Sequence, residues 1–92
     1  MKKLVRQMIG QEPPSERQAH AMRLAAQDYE VIAALVGKRI ALGLSQTDVA
    51  EMLGVTQQAI SKFEQMDSDP RLSTIRRYAL AVEAEIEHRV CG

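Results

Sequence analysis

Two adjacent glutamines, Gln57 and Gln58, open an amphipathic stretch in which Ser61 and Lys62 follow at helical spacing. On a helix these four polar side chains share the face opposite the apolar residues of the stretch. A glutamine amide presents a donor beside an acceptor, which matches N7 and N6 of adenine, and a lysine ammonium matches O6 and N7 of guanine. The pattern therefore favours either a base-reading surface or an ordinary solvated helix face.

A pair of short helices is predicted to position these side chains. Gly54 tolerates positive φ and Thr56 caps a helix, so a tight turn precedes the glutamines. The preceding short helix starts at Ser45, with Asp48 three residues later. Helices that cross near a right angle need a small residue where their backbones approach, and Ala50 has that place.

A long helix is predicted before the pair. Ser15 and Gln18 form a capping-box pattern after the turn-forming residues 10–15, and Gly43 supplies a left-handed stop. A helix over about residues 16–42 spans roughly 40 Å, which exceeds what a small core needs, so part of its N-terminal half is predicted to face a partner. The apolar stripe consists of Met22, Ala25, Ala26, Tyr29, Ile32, Ala33, Val36 and Ile40.

The two ends of the chain have different predicted roles. Residues 1–14 are expected to be a flexible basic head, because a glycine and two prolines separate them from the long helix. A last helix is predicted to begin at Ser73. The tail, residues 84–91, alternates apolar and charged residues, so it is predicted to be a strand that pairs with its copy in a homodimer, with a further helix as the alternative.

The composition excludes several classes of protein. The 92 residues are 46% hydrophobic and rich in helix formers, which indicates one small, mostly helical domain. Twelve basic and twelve acidic residues cancel, so overall charge favours neither nucleic acid nor membrane. Cys91 is a single cysteine, and His20 and His88 have no neighbouring ligands, so we expect no disulfide, metal or cofactor. No nucleophile and base can be paired, which argues against an enzyme.

The sequence KRIALGLSQTDVAEMLGVTQQAISKFE, residues 38–64, resembles the helix-turn-helix of the phage repressor and Cro family, and the likeness extends over residues 32–82. This resemblance implies an all-α fold, a compact five-helix domain within residues 15–92. It also implies a double-stranded DNA operator as partner, with the second helix of the pair in the major groove and a dimer on two half-sites.

The resemblance assigns roles to residues by position. Base reading falls to Gln57, Gln58, Ser61 and Lys62. Contacts to DNA phosphates fall to Ser45, Gln46, Thr56 and Arg71. Arg39 and Glu64 are expected to form a structural ion pair, whereas Thr56 is first of all a helix cap. Three further basic side chains are expected to be solvated, namely Lys38, Arg76 and Arg77. Asp67 and Asp69 depart from the family pattern and should repel nearby phosphates.

The C-terminal sequence PRLSTIRRYALAVEAEIEHRV, residues 70–90, is similar to antitoxins of type II toxin-antitoxin systems, although Glu83 replaces their usual glycine. This implies a cytoplasmic, bacterial or phage-encoded protein that represses its own operon and binds a toxin, usually an mRNA-cleaving ribonuclease. The head and residues 16–30 are the expected toxin surfaces. The alternatives are a stand-alone phage or host repressor and a protein-protein adaptor that no longer reads DNA. The zero net charge and the acidic loop with Asp67 and Asp69 favour the adaptor.

Overall fold

One long helix and three short ones make up the fold in the computed structural model, which describes residues 13–66 and 69–92. The helices are α1 (Glu16–Ala41), α2 (Gln46–Leu53), α3 (Gln57–Gln65) and α4 (Leu72–Ala81). The all-helical prediction is confirmed for these residues. Residues 1–12 of the predicted head, and Asp67, lie outside the described part of the chain.

The expectation of a fifth helix is wrong for the described residues, which contain four. The chain turns after α4 and continues without helical structure to Gly92. The predicted strand at residues 84–91 is also absent from the described part of the chain. A strand needs a neighbouring strand to bond its N–H and C=O groups, and the four helices of a single chain do not provide one.

Local signals define the ends of α1. The Ser15 hydroxyl accepts from the Gln18 backbone N–H at 3.1 Å, and the Gln18 side chain accepts from the Ser15 N–H at 2.9 Å. At the other end Gly43 adopts φ +74°, and the Leu44 N–H reaches back to the Arg39 carbonyl at 3.1 Å. The capping box and the glycine stop are therefore both present as predicted.

Only the C-terminal half of α1 contributes to the core. Ile32 and Leu35 are each 3% exposed, whereas Met22, Tyr29 and Ile40 of the predicted stripe are each 62% exposed. Ile32 is therefore the buried residue of the predicted stripe, and Leu35, which the stripe omits, was not anticipated. Across residues 13–66 and 69–92 the buried core consists of Ile32, Leu35, Val49, Ala50, Ile60, Phe63, Tyr78, Ala79 and Val82.

The turn between α2 and α3 follows the steric reasoning from the sequence. Gly54 ends α2 in the left-handed region at φ +69°, and Ala50 is 3% exposed beneath it. The Val55 N–H donates to the Ala50 carbonyl at 3.0 Å, so the chain turns sharply at this point. The Thr56 hydroxyl then accepts from the Ala59 N–H at 3.1 Å and caps α3.

The helix α4 begins one residue before the predicted start, at Leu72 with Arg71 as its N-cap. Arg77 was expected to be a solvated side chain, but its guanidinium donates to the Leu53 carbonyl at 2.6 Å. This carbonyl lies at the C-terminus of α2, where a positive charge is favourable. Arg77 therefore fixes α4 against the end of α2.

The turn after α4 forms at Glu83 although glycine is the usual residue for its conformation. Glu83 has φ +58°, and the Ala84 N–H donates to the Ala79 carbonyl at 2.9 Å. After this turn, Ala84 and Ile86 pack against the core. The turn therefore directs the tail back onto the bundle at the cost of a left-handed glutamate.

Replacing Glu83 with glycine should stabilise the protein, because glycine adopts positive φ without a steric penalty. We expect Glu83→Gly to raise the free energy of unfolding by up to about 1 kcal/mol, part of the gain being offset by the extra freedom of glycine in the unfolded chain. Urea denaturation measures the change. Glu85→Gly is the matched control, since Glu85 lies outside the left-handed region, and an equal gain in that variant would contradict the strain at Glu83.

Candidate nucleic-acid interface

The helix α3 has one buried side and one exposed polar side. Ile60 and Phe63 are 4% and 7% exposed and attach the helix to the core. Gln57, Gln58 and Lys62 are exposed, and Ser61 is half-buried beside them. The structure therefore brings the four predicted base-reading residues together on one helix.

The carboxylate of Glu64, on the inner side of α3, connects this helix to its neighbours. The Arg39 guanidinium donates to both oxygens of Glu64, from Nε to Oε2 at 2.8 Å and from Nη2 to Oε1 at 3.0 Å. Their side chains are only 13% and 7% exposed. Arg39 Nη1 also donates to the Leu44 carbonyl at 2.8 Å, so this bidentate pair joins α1, α3 and the loop before α2.

Tyr78 extends this network to α4. Its hydroxyl donates to Glu64 Oε2 at 2.6 Å, and its ring stacks on Phe63 with centroids 4.8 Å apart. Burial and the bond to Glu64 raise the pKa of Tyr78 well above its usual value, so the hydroxyl keeps the proton that it donates. This bond was not anticipated from the sequence, because its two partners lie on different helices.

Gln46 connects the carboxylate to the exposed face. Gln46 Nε2 donates to Glu64 Oε1 at 3.0 Å, and Gln57 Nε2 donates to Gln46 Oε1 at 2.5 Å. Because a carboxylate can only accept, the Gln46 nitrogen faces Glu64 and its oxygen is left for Gln57. Gln57 then keeps its carbonyl oxygen and one N–H for another molecule. Each glutamine is the first residue of its helix, which is the sequence signal for this contact.

The hydroxyl of Ser61 has a defined role as an acceptor within α3. Gln65 Nε2 donates to Ser61 Oγ at 3.1 Å. The Ser61 proton is consequently free to point to an acceptor elsewhere. This contact was not foreseen from the sequence, although residues four apart are neighbours on a helix.

The N-termini of α2 and α3 differ as sites for an anion. The Asp48 carboxylate accepts from the Ser45 N–H at 2.7 Å, and this bond lowers the pKa of Asp48, so a negative charge already occupies the start of α2. The first turn of α3 consists of Gln57, Gln58 and Ala59, none of which is charged. The N–H groups that follow Thr56 are therefore the more favourable place for a phosphate.

Arg71 lies beside the exposed face of α3. It lines one cleft with Lys62 and Thr74, and Asp69 lines the same cleft. The two cations could attract the same backbone phosphate, while the aspartate opposes them.

As for other groups, the described residues contain no cluster of His, Cys, Asp and Glu suited to a metal ion, and none of their helices is long and apolar enough to cross a membrane.

Two effects act in opposite directions on the pKa of Glu64. Burial opposes ionisation of its carboxyl, but hydrogen bonds from Arg39, Tyr78 and Gln46, with the charge of Arg39, outweigh it and hold the pKa of Glu64 below its ordinary value of 4.5. Since the folded-state pKa is depressed, the stabilisation is fully present above pH 4.5 and is lost as the pH falls through the folded-state pKa.

Comparison with known proteins gives two kinds of match. A family model described as helix-turn-helix matches residues 38–86. The chain is also similar to the antitoxin HigA1 of Mycobacterium tuberculosis, from strains CDC 1551 / Oshkosh and ATCC 25618 / H37Rv, with 42% identity over 62 residues. These residues are 67% of this chain but 42% of each relative, so the chain matches about two fifths of the relatives' length. No solved structure matches the chain significantly.

Glu64→Gln should destabilise the fold at neutral pH by about 2–4 kcal/mol, because the nearly buried Arg39 loses its counter-charge. The difference from wild type should narrow as the pH falls from 4.5 through the depressed folded-state pKa, because the unfolded chain binds a proton first and folded Glu64 follows at lower pH. Urea denaturation at pH 7 and at a series of pH values below 4.5 measures both effects.

Glu87→Gln is the matched control, because Glu87 and Arg89 are each 78% exposed and 3.6 Å apart, and such pairs contribute little. Equal losses of stability in the two variants, or a loss in Glu64→Gln that does not depend on pH, would contradict the role given to Glu64.

Proposed function

The chain belongs to the helix-turn-helix family, and we propose that it is a sequence-specific DNA-binding repressor whose α3 lies in the major groove of an operator. The observation that carries the proposal is the exposed polar face of α3, fixed from below by the Glu64 network. A rigid helix that displays amides and an ammonium suits the edges of bases, which differ in their patterns of donors and acceptors.

We assign base reading to the exposed residues of α3. Gln57 offers its free carbonyl oxygen and one N–H, the pair that adenine N6 and N7 require. Gln58 can read a second adenine, and Lys62 a guanine. Ser61, whose oxygen already accepts from Gln65, donates to a base acceptor such as guanine O6.

Phosphate contacts fix the register of the protein on DNA without reading sequence. We propose that a phosphate lies at the N-terminus of α3 beside Thr56 and that Arg71 approaches a second one. Ser45 and Gln46 lie at the start of α2, where Asp48 weakens the attraction. Because Asp48 and Asp69 oppose binding, a homodimer on two half-sites is part of the proposal.

We propose further that the protein is an antitoxin that represses its own operon in a bacterial cytoplasm. The support is the similarity to relatives named antitoxin HigA1. In this proposal residues 15–92 are the DNA-binding domain, with its core at 32–82, and the basic sequence 1–14 precedes it. The toxin would bind the head and residues 16–30, where Leu24 is exposed.

Binding to the DNA upstream of the gene tests base reading. Gln57→Ala and Gln58→Ala should each reduce discrimination between operator and unrelated DNA by about 1–3 kcal/mol, because an adenine contact is lost. Gel shifts over a series of salt concentrations measure this, since non-specific binding weakens steeply with salt. Gln27→Ala, on an exposed part of α1, is the control. If wild type shows no preference for operator, the repressor proposal fails. If a variant that combines Gln57→Ala with Gln58→Ala binds like wild type, only the assignment of the two glutamines fails.

Co-expression with the adjacent open reading frame tests the antitoxin proposal. We expect the neighbouring product to co-purify with this protein and to regain ribonuclease activity when the two are separated. Co-purification should not depend on Gln57 or Gln58, because those side chains belong to the DNA surface. Specific DNA binding without any co-purifying product would favour the stand-alone repressor instead.

A further inference from the structure

A second apolar face runs along α1, separate from the side that contacts the bundle. Ile32 and Leu35 point into the core, whereas Met22, Tyr29 and Ile40 are each 62% exposed. At about 100° per residue, this exposed face lies roughly a quarter turn around the helix from the core-facing side. It is therefore not an extension of the core.

The exposed face has the spacing of a coiled-coil seam. Its residues alternate in steps of three and four, which are the a and d positions of a heptad repeat. Alanine occupies the first three a positions, and larger residues occupy the d positions. In order along the helix the seam consists of Ala19, Met22, Ala26, Tyr29, Ala33, Val36 and Ile40; of these, Ala19 and Val36 are half-buried, Val36 against the edge of the core.

We propose that this seam pairs, antiparallel, with the same helix of a second copy of the chain. This inference rests on the homodimer of the proposed function and names its surface. In an antiparallel pair each a residue meets a d residue. Ala26 meets Tyr29 of the partner subunit, and Ala33 meets Met22 of the partner subunit. Small side chains thus face large ones in these layers, which lets the helices approach without a void.

A parallel pair would not pack in this way. It would place each alanine against its own copy and each large d residue against its own copy, so that the spacing between the helices would have to vary along the seam. The alternation of small and large residues therefore favours the antiparallel arrangement, which a two-fold axis generates with identical surfaces.

Charges fix the register of this pair. Arg23 and Glu30 each follow a d residue and are exposed along one edge of the seam. In the register described, Arg23 faces Glu30 of the partner subunit, and the two-fold axis repeats the ion pair. A shift by one heptad in either direction keeps the seam apolar but sets two arginines or two glutamates against each other. Opposite charges thus select one register among those that the apolar residues allow.

The pairing leaves other parts of α1 free. Leu24 and Val31 lie on the opposite side of the helix and are 49% and 36% exposed. They remain available to the toxin in the proposed antitoxin. The reading face of α3 belongs to a different helix, so pairing through the seam does not use the residues assigned to DNA.

Charge reversal in the full-length protein, without DNA, tests the proposal. Wild type should form dimers in sedimentation equilibrium. Arg23→Glu and Glu30→Arg should each raise the dissociation constant of the dimer by at least about tenfold, because both symmetric pairs become repulsive. The two changes together should restore dimerisation. An equimolar mixture of the two single variants should form mixed dimers, because one chain then carries two acidic side chains at these positions and the other carries two basic ones.

The control is Arg17→Glu, a charge reversal on α1 away from the seam, which should leave the dimer unchanged. Circular dichroism of every variant checks that the helices remain folded. A wild type that stays monomeric at about 100 μM, or single variants whose mixture remains monomeric, would overturn the pairing. Gel shifts distinguish the two proposals. If the protein dimerises as described but does not bind operator DNA specifically, only the repressor proposal fails. If it binds operator as a dimer whose stability does not change with the charge reversals, only the seam proposal fails.

Discussion

The buried carboxylate of Glu64 is the group on which the rest of the structure depends. It belongs to α3 and accepts hydrogen bonds from one side chain of each other helix, namely Arg39 of α1, Gln46 of α2 and Tyr78 of α4. The small core of nine buried residues in the described part of the chain can exclude water but does little to fix the angle of a short helix. The directional bonds to one carboxylate supply that constraint, and they do so for the helix whose exposed face carries the polar residues.

Two features outside the Glu64 network position α4, which must bring Tyr78 to that carboxylate. Glu83 holds a left-handed conformation because the turn must return Ala84 and Ile86 to the core. Arg77, although exposed, bonds the last carbonyl of α2 and so holds α4 beside it. Both features keep α4 in place, and α4 carries Tyr78 to Glu64.

Local features of the fold could be predicted from the sequence, and non-local ones could not. Ser15, Gly43, Gly54 and Thr56 act within one turn of the chain, so their residue types were sufficient to place the helix ends. The core side of α1 was predicted only in part, since the stripe contains Ile32 but not Leu35: the helix has two apolar faces, and only tertiary packing decides which one meets the bundle. Leu35 was missed for this reason.

The candidate site divides in the same way. The polar face of α3 follows from helical spacing alone, and its composition pointed to nucleic acid. The contact between Gln46 and Gln57 depends on how two helices cross, and the bond from Tyr78 depends on a third. The tail shows the limit most clearly, since its alternating residues predicted a strand but a strand exists only with a neighbour.

Although adjacent, the two glutamines differ in the conformational entropy that each must lose on binding. Gln57 is already held by Gln46, whereas among the described residues Gln58 has no side-chain hydrogen bond. Ordering a free glutamine side chain costs up to about 1.5–2 kcal/mol. Gln57 has lost part of this freedom on folding, so its contacts are preorganised, whereas Gln58 is free to change rotamer and adapt to the partner that it meets.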